Sequence, residues 1–151
     1  MSTELDRVER QITIQAPASR VWSLISEPGW YINDGAIVEH TLERSGDVTT
    51  VHDPTHGTFH CRTVELDEPH YAAFRWLDSS DDEAPSTLVE FWIDQVTADS
   101  VVLRVAESGF ASLPGTAEER RRKLEGNRDG WSIELGLAQA HLQSALSPAQ
   151  G

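Results

Sequence analysis

Between Gly115 and Leu146, the residues Leu124, Arg128, Trp131, Leu135, Ala138, Leu142 and Ala145 follow one another at alternating steps of four and three. Side chains at that spacing line one face of an α-helix. The stretch is too long for a strand, and Pro114 before it and Pro148 after it suit helix ends. Nearly everything upstream reads as short strands. Such a chain offers one long amphipathic helix and one sheet with an apolar face, so the sheet is expected to wrap around the helix.

The segment from Met1 to Arg7 is polar and expected to be loose, as is the tail from Ser147 to Gly151. Alternation through Val8, Arg10, Ile12 and Ile14 marks a first strand, from Val8 to Gln15. Pro17 then opens a helix whose apolar face is Val21, Trp22, Leu24 and Ile25, stopping before Pro28-Gly29. Trp30, Tyr31 and Ile32 read as a single helical turn closed by Asn33-Asp34-Gly35. Six strands follow, at Ala36–Arg44, Val48–His52, Thr58–Leu66, Tyr71–Leu77, Thr87–Val96 and Val101–Glu107. Turn residues and an acidic loop, Asp78–Ser86, separate them. Short connections between successive strands mean an antiparallel meander. The chain is thus expected to form one α+β domain over residues 1–151, ordered β-α-α-β6-α, with a curved antiparallel sheet around the terminal helix. A sheet curled around a helix seldom closes on it completely, so a cavity lined by aromatics is a natural outcome.

Strand alternation assigns faces. Phe74 and Trp76 share one face, opposite Arg75. Val89, Phe91 and Ile93 share another, opposite Glu90, Trp92 and Asp94. Leu103 and Val105 point one way and Arg104 the other, and by the same parity Glu107 points inward. The strand Thr58–Leu66 mixes polar and apolar groups on both faces and does not declare a parity.

Composition narrows the function classes. The hydrophobic share of 38% and five tryptophans are those of a folded globule. A lone Cys61 cannot form an internal disulfide, which favours a reducing, cytoplasmic setting. No apolar run approaches a membrane span, and the N-terminus lacks the apolar core of a signal peptide. The formal charge of −13 repels phosphate backbones and anionic membrane surfaces, so nucleic-acid binding is not expected.

Several local patterns carry a family resemblance. They are Ile14-Gln15-Ala16-Pro17-Ala18-Ser19-Arg20-Val21-Trp22, then Val64-Glu65-Leu66-Asp67 with Pro69, then Phe74-Arg75-Trp76. They continue with Thr87-Leu88-Val89-Glu90-Phe91, Glu107-Ser108-Gly109-Phe110, and Gly130-Trp131 followed by Leu135. In this order they cover nearly the whole chain, which resembles the Bet v 1-like, START-related (SRPBCC) superfamily. Within it, the chain resembles the branch named after the activator of heat-shock protein 90 ATPase. The resemblance implies a helix-grip fold and a hydrophobic ligand cavity. It does not imply one activity, because the superfamily holds lipid carriers, hormone receptors and aromatase/cyclases. Co-chaperone activity belongs to a few members of the branch with additional domains, which are not expected in this chain.

Candidate chemistry is sparse. His52, His56 and His60 recur every four residues, but Pro54 and Gly57 forbid the helix on which they would form a metal face, so ordinary surface histidines are the simpler reading. His60 could instead turn into the cavity. Ser108 lacks the Gly-x-Ser-x-Gly elbow of a nucleophile, and Cys61 in mid-strand suits a small core residue. Glu107, if it faces an apolar cavity, is a costly group that could hold a ligand's polar end; the plainer alternative pairs it with Arg128 on the helix. Trp92, on the polar parity, is either capped by its neighbours or part of a homodimer contact. The run Arg120–Lys123 reads as a solvated face. The expected ligand site therefore has walls from Trp30, Phe74, Trp76, Phe91, Trp131 and Leu135 and a polar contact from His60, Glu107 or Arg128. No catalytic residue, metal or cofactor is assigned. The leading expectation is a binding or transport module for a small hydrophobic or amphipathic, lipid- or polyketide-like molecule. A cyclase/dehydratase-type enzyme and a stress or co-chaperone-like interaction protein are the alternatives.

Overall fold

The computed structural model describes residues 6–33, 35–77 and 86–144; the start of the N-terminal segment, most of the acidic loop, Ala145 and the tail lie outside the described residues. Its elements are β1 (Arg7–Ile14), α1 (Ala18–Ile25), β2 (Thr41–Ser45), β3 (Val48–Asp53), β4 (Gly57–Asp67), β5 (Tyr71–Leu77), β6 (Thr87–Thr97), β7 (Ser100–Ser108) and α2 (Ala117–Ser144). A short 3-10 turn, Phe110–Ser112, precedes α2. The seven strands form one antiparallel sheet in the order β1-β7-β6-β5-β4-β3-β2. Successive hairpins lie side by side, and the first strand returns to pair with the last. The curved sheet grips α2, as the strand-then-helix pattern requires.

Register carries the inward rows across strands. Val8 of β1 and Val89 of β6 both sit opposite Glu107 of β7, and Phe91 sits opposite Val105. The α2 stripe meets these rows: Leu124, Trp131, Leu135, Ala138 and Leu142 are buried, while Arg128 on the same spacing is only half-buried. A reciprocal pair starts the helix, the Glu119 amide donating to Thr116 Oγ1 at 3.0 Å and the Thr116 amide to Glu119 Oε1 at 2.9 Å. Side chains then sew α2 to the open edge of β1. Arg10 Nε donates to Ser132 Oγ at 3.1 Å, Gln139 Nε2 to the Thr13 carbonyl at 2.8 Å, and the Gln15 amide to Gln143 Oε1 at 2.9 Å.

Three local departures from the sequence reading have physical causes. Residues 27 to 32 make successive turns, with the Trp30 amide bonding the Glu27 carbonyl and the Ile32 amide the Gly29 carbonyl, in place of a second helix. The strand expected from Ala36 begins only at Thr41. Asn33 Oδ1 takes the Val38 amide at 3.0 Å, and His40 turns inward to the Ile32 carbonyl at 2.7 Å and Asp53 Oδ1 at 2.8 Å. Those bonds replace a strand ladder. In β4 the register shifts between Thr63 and Glu65, and a bulge of this kind breaks the alternation that a face assignment needs. Trp92 is half-buried on the outer face, its ring covered by the Arg104 guanidinium at 4.4 Å and by Tyr71 at 5.6 Å between centroids. Among the described residues no helix is long and apolar enough to cross a membrane.

Candidate functional site

Beside its core stripe, α2 carries a second row, Lys123, Asn127, Gly130 and Glu134, again at steps of four, three and four. This row borders a cavity of about 420 Å³ between helix and sheet, a volume within the usual range for small-molecule sites. Gly126 and Gly130 open it: a Cβ built on either would meet nothing within 4 Å. Glycine in a helix interior costs about 0.5–1 kcal/mol relative to alanine. No close backbone approach offsets that cost here; these glycines leave space.

Four aromatic rings line the cavity: Tyr31 from the turns after α1, Phe59 from β4, Trp76 from β5 and Trp131 from α2. Tyr31 sits at their centre, with ring centroids 4.9 Å from Trp76 and 5.0 Å from Trp131, and Phe59 meets Trp76 edge-on at 5.8 Å. A second layer stands behind them. Phe91 contacts Trp30 at 5.5 Å, Trp131 at 5.7 Å and Phe74 at 6.3 Å, in tilted and edge-on pairs that lock the lining rings from the rear.

The polar floor is Glu107. Its side chain, on a residue only 2% exposed, accepts three hydrogen bonds: from Thr87 Oγ1 at 2.5 Å, from Trp131 Nε1 at 2.9 Å and from Asn127 Nδ2 at 3.0 Å. An indole nitrogen can only donate, so Trp131 and Asn127 together occupy Oε1 as an acceptor. This is how an inward carboxylate on β7 is tolerated among aromatic rings: two elements, β6 and α2, converge three donors on it.

A second carboxylate, Glu134, lies at the other end of the helical row. Burial pushes its carboxyl above the ordinary value, opposed by the Asn33 amide, which donates to Oε1 at 2.7 Å, and by nearby His56. Burial likewise holds the Tyr31 hydroxyl well above its usual range, with Cys61 and Glu107 adding to the shift, and drives the Cys61 thiol up to about 11 against the Tyr31 hydrogen bond. Tyr31 Oη and Cys61 Sγ face each other at 3.8 Å. Neither ionises near neutral pH, so neither is a nucleophile or base there.

Of the residues singled out from sequence, Trp76, Glu107 and Trp131 border the cavity. Trp30, Phe74, Phe91 and Leu135 are buried behind it as support. His60 does not join them: it stands in register with Thr50 and bonds its hydroxyl through Nδ1 at 3.3 Å, on the face opposite to Phe59 and Cys61. Arg128 is not on the lining either, and Glu107 takes its neighbour Asn127 instead. His52, His56 and His60 do not converge: His52 bonds Glu43 and Thr58, and His56 bonds the Asn33 carbonyl. Among the described residues no group of three or more side chains is placed to hold a metal ion. Sequence reasoning missed Phe59, Thr87, Asn127 and Glu134, and did not give Tyr31 its place on the wall. The helical row through Gly130 was the available signal for Asn127 and Glu134.

Behind the Tyr31 segment lies a further buried pair, His40 and Asp53, with side chains 0% and 1% exposed. Burial alone would raise the Asp53 carboxyl, but the amides of His56 and Thr55, at 2.7 and 2.9 Å, and the His40 ring hold it below its ordinary value. This pair pins the carbonyl of Ile32 and thereby the turn that carries Tyr31.

A family model described as Activator of Hsp90 ATPase homolog 1-like protein matches residues 15–139. Among solved structures, the Zhui aromatase/cyclase from Streptomyces sp. R1128 superposes with a TM-score of 0.68 and 22% identity, covering 96% of this chain and 98% of that one. The di-domain ARO/CYC BexL from the BE-7585A biosynthetic pathway gives 0.67 and 19% identity over 95% of this chain and 48% of that one. The Aha1 dimer from Colwellia psychrerythraea gives 0.65 and 12% over 91% and 96%. At these identities the likeness concerns the fold. A search of curated proteins finds no match.

Proposed function

Since the chain belongs to the Activator of Hsp90 ATPase homolog 1-like family, a branch of the Bet v 1-like superfamily whose fold is gripped around a cavity, we propose that it binds a small amphipathic molecule between sheet and α2. One observation carries the reading: an open cavity of about 420 Å³ has aromatic walls and a buried carboxylate already held by three donors. The volume suits a ligand on the order of 15 non-hydrogen atoms, taking roughly 30 Å³ for a water-sized group. Carriage is favoured over chemistry because Tyr31 and Cys61 stay protonated and Glu107 is engaged by its own protein partners.

A cyclase-type enzyme is the second reading. It is favoured by two carboxylates, Glu107 and Glu134, on one cavity. Against a role carried by the outer face stand the open cavity and the covering of Trp92 by Arg104 and Tyr71.

Native mass spectrometry of the purified chain, with extraction of any adduct, tests the leading reading. Intrinsic fluorescence supplies a second readout, because Trp76 and Trp131 border the cavity. The expected result is a bound molecule of a few hundred daltons or a saturable fluorescence change with an amphipathic panel. An empty protein whose emission no panel member alters would end the proposal.

A further inference from the structure

We infer that the cavity selects a positively charged ligand, an amphipathic organic amine whose ammonium group docks between Glu107 and Glu134 beside the rings of Tyr31, Trp76 and Trp131. The inference rests on the reading of the cavity as a ligand site and adds the sign of the ligand's charge.

Glu107 is hydrogen-bonded but not ion-paired. Its three partners are a hydroxyl, an amide and an indole, and among the described residues no cation forms an ion pair with it. Hydrogen bonds replace lost hydration but supply no counter-charge. A carboxylate offers about four acceptor sites, so one remains for a ligand. Glu134 adds a second carboxylate on the same lining, with Asn33 bonded to Oε1 and no hydrogen bond to Oε2 from the described residues. Aromatic rings attract cations and repel anions through their negative faces, and four of them enclose this space. The chain's charge of −13 biases encounter in the same direction.

Lys123 is the lining's single cation among the described residues, and it is exposed. An acidic ligand anchored on it would have to bring its anion toward two carboxylates and the ring faces. An amine meets the opposite balance.

The test uses three probes with one hydrophobic body: phenylbutylamine, phenylbutanol and phenylbutanoate, titrated calorimetrically into the full chain at neutral pH. The amine should bind at least about tenfold more tightly than the carboxylate, with the alcohol between them, the order expected of a charge contact in a partly dry site. Glu134→Gln should narrow the amine-to-carboxylate ratio at least about threefold, as should Glu107→Gln if it folds; circular dichroism and melting confirm folding first. Equal affinity for amine and alcohol, a carboxylate preferred over the amine, or an amine preference unchanged in Glu134→Gln would each overturn the inference while leaving the cavity a ligand site. Failure of all three probes to bind would overturn both.

Discussion

Gly130 offers a direct way to separate the cavity from the stability of the helix that borders it. It lies within α2, its backbone is helical, and a Cβ there would meet nothing within 4 Å. Gly130→Ala therefore adds a methyl group without a clash and removes the conformational cost of glycine, about 0.5–1 kcal/mol. For a domain of this size 1 kcal/mol moves the melting temperature by about 2–4 °C, so the alanine variant should melt roughly 1–4 °C higher. Gly130→Leu carries the argument further. Its side chain would fill on the order of 100 Å³, counting each carbon as roughly one 30 Å³ water-sized group, about a quarter of the 420 Å³ present. Each methylene covered there contributes about 0.8 kcal/mol, against about 0.5–1 kcal/mol of lost leucine rotamer freedom. The leucine variant should thus fold at least as stably as the parent yet bind phenylbutanol or phenylbutylamine at least about tenfold more weakly, since the space it takes would otherwise bury two or more ligand methylenes at about 0.8 kcal/mol each. Thermal melts and calorimetric titrations on the three proteins suffice. An alanine variant that melts lower, or a leucine variant that is destabilised but binds normally, would show that Gly130 serves close packing and that the cavity lies elsewhere.

Two other outcomes follow from the buried polar groups. Trp131→Phe keeps a ring but deletes the donor to Glu107 Oε1, leaving a buried carboxylate one bond short; chemical denaturation should register a loss of about 1–3 kcal/mol, and a loss below about 0.5 kcal/mol would refute that account. Asp53 is held below its ordinary carboxyl value by the His56 and Thr55 amides and by His40, against its own burial, so the unfolded chain binds that proton more readily than the folded one. Its contribution is full above about pH 4 and is lost as pH falls through the folded-state value. Asp53→Asn should be less stable at neutral pH yet lose less on acidification below about pH 4, and parallel stability curves for the two proteins would contradict this.

The parts of this fold legible in the sequence are those governed by a single period. The bounds of β5 coincide with the apolar run Tyr71–Leu77, and two-residue alternation from Leu103 through Val105 carries Glu107 inward, where it is buried. The helix stripe is legible for the same reason. What escaped obeys no period. A bulge between Thr63 and Glu65 resets the parity of β4, so no one alternation runs the length of the strand to tell that Phe59 lines the cavity while His60 turns to Thr50. Trp30 and Tyr31 are adjacent in a chain of turns, and nothing in their spacing tells which ring faces the open space. Asn127 and Arg128 differ by one helical step, and only the position of Glu107 across the cavity decides that the amide and not the guanidinium reaches it. His40 and Asp53 are thirteen residues apart and meet because the chain between Asn33 and Thr41 leaves the sheet.

The side-chain stitches between α2 and β1 have a mechanical consequence. Ser132, Gln139 and Gln143 fasten the C-terminal half of the helix to a sheet edge, and Arg120 props its N-terminal end on the carbonyl of Leu113. Between these supports the helix crosses the cavity, tied to β7 by Asn127 and Trp131 through Glu107, and that span contains Gly126 and Gly130. The helix is thus held at both ends, and in the middle it hangs on the Glu107 carboxylate beside two glycines, residues that leave the backbone more freedom than any other. On the reading of the cavity as a ligand site, guests differing by a methylene or two should be taken up by small flexure at those glycines while the strands keep their register.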